Sequence, residues 1–158
     1  MGTARTKMNR PFYADGLCFS CVRCSRCCSH EPGYVYLSKK DLEKLLHWSG
    51  LDTHSFIEKY CRWVPYYSCD EKVLSLKEKP DFSCILEDRG CSAYQERPIQ
   101  CVTYPFWNFI LKDKSNWKIE SRSCPGIDRG KLHLQEEIEE AMLRHRNNSP
   151  LKITECRF

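Results

Sequence analysis

The chain has 158 residues, 41% of them hydrophobic, and a formal charge of +4 from 25 basic and 21 acidic residues. That length fits one domain with a real core. No apolar run approaches the ~20 residues that cross a bilayer, and the positive excess forms no basic block, so nothing argues for a nucleic-acid surface.

Residues 1–17 are polar and read as a mobile segment. Arg5, Lys7 and Arg10 are not followed by an apolar stretch, so the start does not read as a secretory signal. Gly2 and Thr6 fit only the loose myristoylation pattern. A dense cysteine segment occupies 18–28. A helix is predicted from Ser38 to Trp48, with Ser38 as cap, Asp41 as its box partner and Leu42, Leu45 and Leu46 on one face. Gly50 is its stop signal. A second helix is expected over Thr53–Trp63, capped by Asp52, with Phe56, Ile57 and Tyr60 on its apolar side. Val73–Leu76 and Phe82–Leu86 read as short strands, the latter closed by the turn Glu87–Gly90. Cys91–Trp107 is broken by Pro98 and Pro105. Phe106–Leu111 is apolar and fits either strand or helix. Lys131–Arg146 is the clearest helix, with Leu134, Ile138, Ala141 and Met142 on one side and acids early, bases late along its dipole. Residues 147–158 read as a loose tail. The expectation is a single α+β domain over 18–146, loop-rich, with helices and short strands organised around cysteine-ligated metal.

Twelve cysteines in 158 residues is the abnormal quantity. Disulfides need an oxidising compartment. With no export signal in view the chain reads as cytoplasmic, and the cysteines read as metal ligands. Cys18, Cys21, Cys24 and Cys27 recur every third residue, and Cys28 doubles the last. A zinc site usually takes two ligands from one such knuckle and two from a distant segment. Three thiolates in a C-x2-C-x2-C run suit several irons of a cubic cluster. Iron–sulfur, probable form 4Fe-4S, is thus preferred over zinc. Among the distal cysteines, Cys84, Cys91, Cys101 and Cys124 sit in or beside turns, where side chains can converge on metal. Cys61 reads as a core residue within a helix, Cys69 is undecided, and Cys156 reads as a tail residue that binds nothing. His30, two residues past Cys28, is a candidate ligand. His47, His54, His133 and His145 read as surface or partly buried residues. Arg97 could hydrogen-bond backbone carbonyls or offset cluster charge, or simply pack along Tyr104 or Phe106.

The run Cys21-x2-Cys24-x2-Cys27-Cys28 resembles the signature of the YkgJ-type CxxCxxCC family of zinc- or iron-chelating domains. Gly90-Cys91, Tyr94, Arg97-Pro98, Cys101, Tyr104-Pro105-Phe106-Trp107, Trp117 and Cys124-Pro125-Gly126 extend the resemblance over about residues 17 to 130. It implies a metal set of Cys21, Cys24, Cys27, Cys28, Cys84, Cys91, Cys101 and Cys124. Two departures stand out: Ser25 replaces the glycine the family often has after its second cysteine, and Cys18 is an extra thiol. The reading is a metal-binding protein carrying a cluster or zinc, structural in role and able to pass electrons or metal. A bacterial flagellin lysine methylase carries a similar signature, so a protein-lysine methyltransferase-like enzyme is one alternative, although no adenosylmethionine-type glycine loop is present. A structural zinc module that presents a surface to a protein partner is the other. In either case the expected partner is a metal ion or cluster, with no membrane role. The N-terminal cysteine loop is expected to lie against the segment holding the distal cysteines.

Overall fold

The computed structural model describes residues 10–29 and 31–156. Gly2, Thr6 and the candidate ligand His30 lie outside the described residues, as does the side chain of Cys69. The fold is α+β, with two separate two-stranded antiparallel sheets and short helices.

The first half builds on a helical pair and a hairpin. α1 spans Lys39–Ser49, and Ser38 and Asp41 close the expected capping box. Gly50 ends α1 in the left-handed conformation, its N–H donating to Leu46 O, as a residue without Cβ does at little strain. α2 spans Thr53–Tyr60, with the Asp52 carboxylate accepting from Ser55 N. It stops short of Trp63, because Cys61–Tyr66 leaves the helix to form strand β2. Trp63 and Val64 are β-branched or aromatic and pair with Leu74 and Val73 of strand β3, Ser68–Leu76. Sheet pairing thus overrides the helical reading at Cys61, which is nonetheless buried in the core as expected. β3 is also longer than Val73–Leu76. Residues 82–86 form no strand: Phe82 takes a positive φ of 65° and the Asp81 carboxylate holds Ser83, so the chain turns instead.

The second half begins with strand β1, Leu17–Phe19, which pairs with strand β4, Ile127–His133. Between them come the short helix α3, Ile99–Thr103, and α4, Lys114–Ser123. Residues 106–111 settle into neither strand nor long helix; a single 3-10 turn covers Ile110–Lys112. α5 spans Gln135–Asn147 and starts later than Lys131, because Leu132 and His133 face Cys18 and Leu17 across the sheet.

Each half has its own core. Leu37, Leu45, Phe56, Leu74 and Leu76 centre the first. Phe106, Ile110, Trp117, Ile127 and Ile138 centre the second. Beyond α5 the chain returns to the first core: Leu151 N donates to Leu37 O and Leu151 O accepts from Leu74 N. The segment expected to be loose is therefore closed at Leu151 by backbone pairing. Phe12, Tyr13 and Leu17, from the stretch expected to be mobile, pack on the second core.

Asp41 ties the halves together. Its carboxylate is fully buried and accepts from Ser38 N, Ser38 Oγ, Ile99 N at 2.9 Å and Asn148 Nδ2 at 2.7 Å. A buried carboxylate persists only when its lone pairs are filled. This one fixes the N-terminus of α3 against that of α1. The Gln100 side chain adds a second tie, accepting from Tyr36 N and donating to Tyr34 O. On the far side, His145 of α5 stacks on Trp107, ring centroids 5.1 Å apart.

Two expectations follow from these contacts. Asp41→Ala should lower unfolding free energy by about 3 kcal/mol, since it strands several buried donors, while Asp41→Asn should lose less; urea denaturation checks both. Burial pushes the His145 pKa below its usual 6.5. The unfolded chain then binds more protons between the folded pKa and 6.5, so stability is full above 6.5 and falls as pH drops through that window. Replacing His145 with Phe should flatten this part of a stability–pH curve.

Candidate metal centre

The cysteine loop lies against the distal cysteines because it is pinned at both ends. At its start, Ser20 N donates to Gly126 O and Lys131 N donates to Ser20 Oγ. Gly126 is a close-approach residue: a Cβ there would collide with Ser20 O. At its end, Cys84 N donates to Cys28 O at 2.7 Å. Between these points the loop turns tightly through Arg23 and Ser25, both at positive φ, and finishes in a 3-10 turn over Arg26–Cys28. Left-handed backbone at Ser25 is the conformation that glycine adopts most freely. The family's usual glycine therefore meets a backbone demand, and Ser25 meets it with strain.

The result is one cavity of about 110 Å³, lined by Cys21, Cys24, Cys27, Cys28, Cys84, Cys91, Cys101 and Cys124. Every cysteine that the resemblance implied reaches this wall. Leu76 and Leu86 of the first core also line it, as do Phe19 and Tyr104, which pack on the second. The cavity thus sits on the seam between the cores. Its outer wall is exposed at Cys21, Cys24 and Cys27, whereas Cys124 is buried. Cys18 on β1, Cys61 on β2 and Cys156 after the last turn are not among the lining residues.

As they stand, no three His, Cys, Asp or Glu side chains among the described residues close into a compact metal-holding cluster. The described cysteines carry no disulfide. Burial pushes the Cys84, Cys91, Cys101 and Cys124 thiols up, favouring the protonated form in the absence of a cation. Cys27 moves the other way, down to about 7, chiefly because the Cys28 thiol hydrogen-bonds it, and Cys28 is pushed up in turn. The Cys28 proton has a rival acceptor in Ser25 O at 3.3 Å.

Two features suit the cavity to a sulfur-ligated metal. The donor set is all thiol, the soft chemistry that selects zinc and iron–sulfur clusters. The second is an orphaned guanidinium. Arg97 Nε and Nη1 are buried and have no hydrogen-bond partner, and Arg97 lines the cavity. Its charge pulls on the Cys27, Cys91 and Cys101 thiols.

Sequence reasoning did not foresee the aromatic clamp beside it. Arg97 lies 3.6 Å from the centroid of Tyr94 and Arg23 lies 4.0 Å from it. The Tyr104 hydroxyl donates to the Glu120 carboxylate at 2.6 Å. Arg23 falls between two cysteines and Glu120 sits on the unforeseen α4, so neither announced itself.

A family model of CxxCxxCC proteins, described as "Putative zinc- or iron-chelating domain", matches residues 20–125. The chain belongs to the CxxCxxCC family. A relative, an uncharacterized protein of Methanocaldococcus jannaschii, is 25% identical over 123 residues, which is 74% of this chain. The matched part spans 40% of that relative's length. No solved structure matches.

The loop geometry of this CxxCxxCC member predicts a pair of opposite effects. Ser25→Gly should raise stability by about 1 kcal/mol, relieving the left-handed residue, while Gly126→Ala should lower both stability and metal content by prising Ser20 away. Thermal melts with elemental analysis read both.

Proposed function

We propose that the eight cysteines hold an iron–sulfur cluster, with zinc as the rival occupant of the same thiols, and that this group fastens the fold. The observation that carries the reading is the single cavity shared by all eight. Eight thiols exceed the four that one tetrahedral ion or one cubic cluster takes. The set therefore has room for a cluster plus a second, smaller site. When bound, an iron–sulfur cluster supplies one-electron chemistry; zinc supplies cross-linking. The chain's own residues exclude water on the inner side and leave Cys21, Cys24 and Cys27 facing solvent. That exposure suits exchange of electrons or metal with a protein partner.

Anaerobic purification with iron, zinc and sulfide analysis tests the assignment. We expect iron and sulfide with absorption near ~400 nm, and a sharp drop in melting temperature on chelation, because ligation energy is folding energy in such sites. Cys24→Ser and Cys101→Ser should lose metal; Cys61→Ser and Cys156→Ser should keep it. Equal loss across all four would show the ligand set to be drawn wrongly.

A second reading, a protein-lysine methyltransferase-like enzyme, draws support from an open groove of about 730 Å³. It shares Cys27, Cys28 and Cys84 with the metal cavity and is walled by Tyr34, Phe82, Trp107 and Phe109. Labelled methyl transfer to a protein lysine distinguishes this from a metal-binding role alone.

A further inference from the structure

We infer that Arg97 is the counter-ion of the group the cysteines hold, donating through Nε and Nη1 to its anionic sulfurs. The inference rests on the proposed function and assigns the residue that balances the charge of the site. A guanidinium carries donors in a fixed fork and cannot shed its proton. Leaving such donors buried without acceptors is unfavourable by about 1–3 kcal/mol apiece. Arg97 Nε and Nη1 are buried in that condition.

The nearby carboxylates are engaged elsewhere. Glu87, which also lines the cavity, pairs with Lys79 at 3.4 Å and accepts from Gly90 N. Glu120 accepts from Tyr104. Arg97 shares the cavity wall with Cys27, Cys91 and Cys101, so sulfur is the acceptor chemistry that this wall offers. Four thiolates on a divalent ion, or on an oxidised cubic cluster, leave a net negative charge. In an apolar pocket that charge needs a partner. Charge-assisted N–H donation to sulfur is the interaction that steadies such a group and tunes it.

The position of Arg97 is itself constrained. Pro98 follows it and holds it in extended backbone, with φ −49° and ψ 142°. Asp41 anchors Ile99 N one residue further on. The Tyr94 ring supports the guanidinium at 3.6 Å, and Arg23 lies 4.0 Å from the same ring centroid. Since Arg23 lies between Cys21 and Cys24, the clamp also joins the cysteine loop to the distal segment. Packing alone explains the stacking; it does not explain two buried donors with no acceptor.

The test compares wild type, Arg97→Gln and Arg97→Lys, each loaded anaerobically with zinc or with iron and sulfide. Metal loss to a competing chelator should be about 10–100-fold faster in Arg97→Gln, the usual effect of removing an outer-sphere partner. Arg97→Lys should fall between, since it restores charge without the fork. With iron and sulfide bound, the glutamine variant should also show a more negative reduction potential, because removing positive charge disfavours the added electron. Melting of the metal-free proteins separates a folding defect from a defect in retention. If Arg97→Gln cannot fold, Arg97→Lys decides, and wild-type retention in it overturns the role of the N–H fork. Wild-type retention and potential in Arg97→Gln would overturn the inference while leaving the metal assignment intact. Failure of wild type itself to hold metal would sink both.

Discussion

The seam between two hydrophobic cores is walled by thiols, and this governs the rest of the architecture. Neither core is large, and the elements that build them are short. Cysteines arrive at the seam from the N-terminal loop, from the turn at Cys84, from Cys91, from α3 and from the end of α4. Burial favours the protonated form of Cys84, Cys91, Cys101 and Cys124 until a cation displaces the protons. On the proposed reading, ligation would add cohesion to a joint between two small cores.

The polar network around the seam serves to hold backbone in place. Asp41 fixes Ile99, Pro98 fixes the turn into α3, and Cys84 N fixes Cys28 O. Each of these ties holds the backbone at or near a cysteine.

Part of the candidate site could be read locally. Cys21, Cys24 and Cys27 line one cavity as their spacing suggests, whereas Cys18, equally spaced, pairs away on β1 and does not. The turn chemistry at Gly90, Pro98 and Pro125-Gly126 marked where the distal thiols could meet them. α1 was equally plain, since Ser38, Asp41 and Gly50 encode both ends locally. Cys61–Tyr66 was not, because whether Trp63 and Val64 continue a helix or pair with β3 depends on a strand ten residues away. α4 escaped for a different reason. Trp117 is its one buried residue, so the helix has almost no apolar periodicity to detect. Lys131–His133 belonged by pattern to the following helix and was claimed by β1, over a hundred residues upstream. Arg97 was visible as a residue near the ligands, but its orphaned donors exist only in three dimensions.

Gln100 has one more consequence. Residues 35–37 run beside β3, with Leu37 N donating to Leu74 O and Leu76 N donating to Val35 O. They act as a third strand whose outer side would expose Tyr36 N and Tyr34 O. An open strand edge is a template on which another polypeptide can stack. The Gln100 amide supplies one acceptor and one donor to those two groups, imitating a neighbouring peptide unit. A single side chain thus plugs the edge at these two groups, and it is anchored by the same short helix that presents Cys101. The pairing of a strand edge and the presentation of a thiol are in this way fastened to one turn of helix.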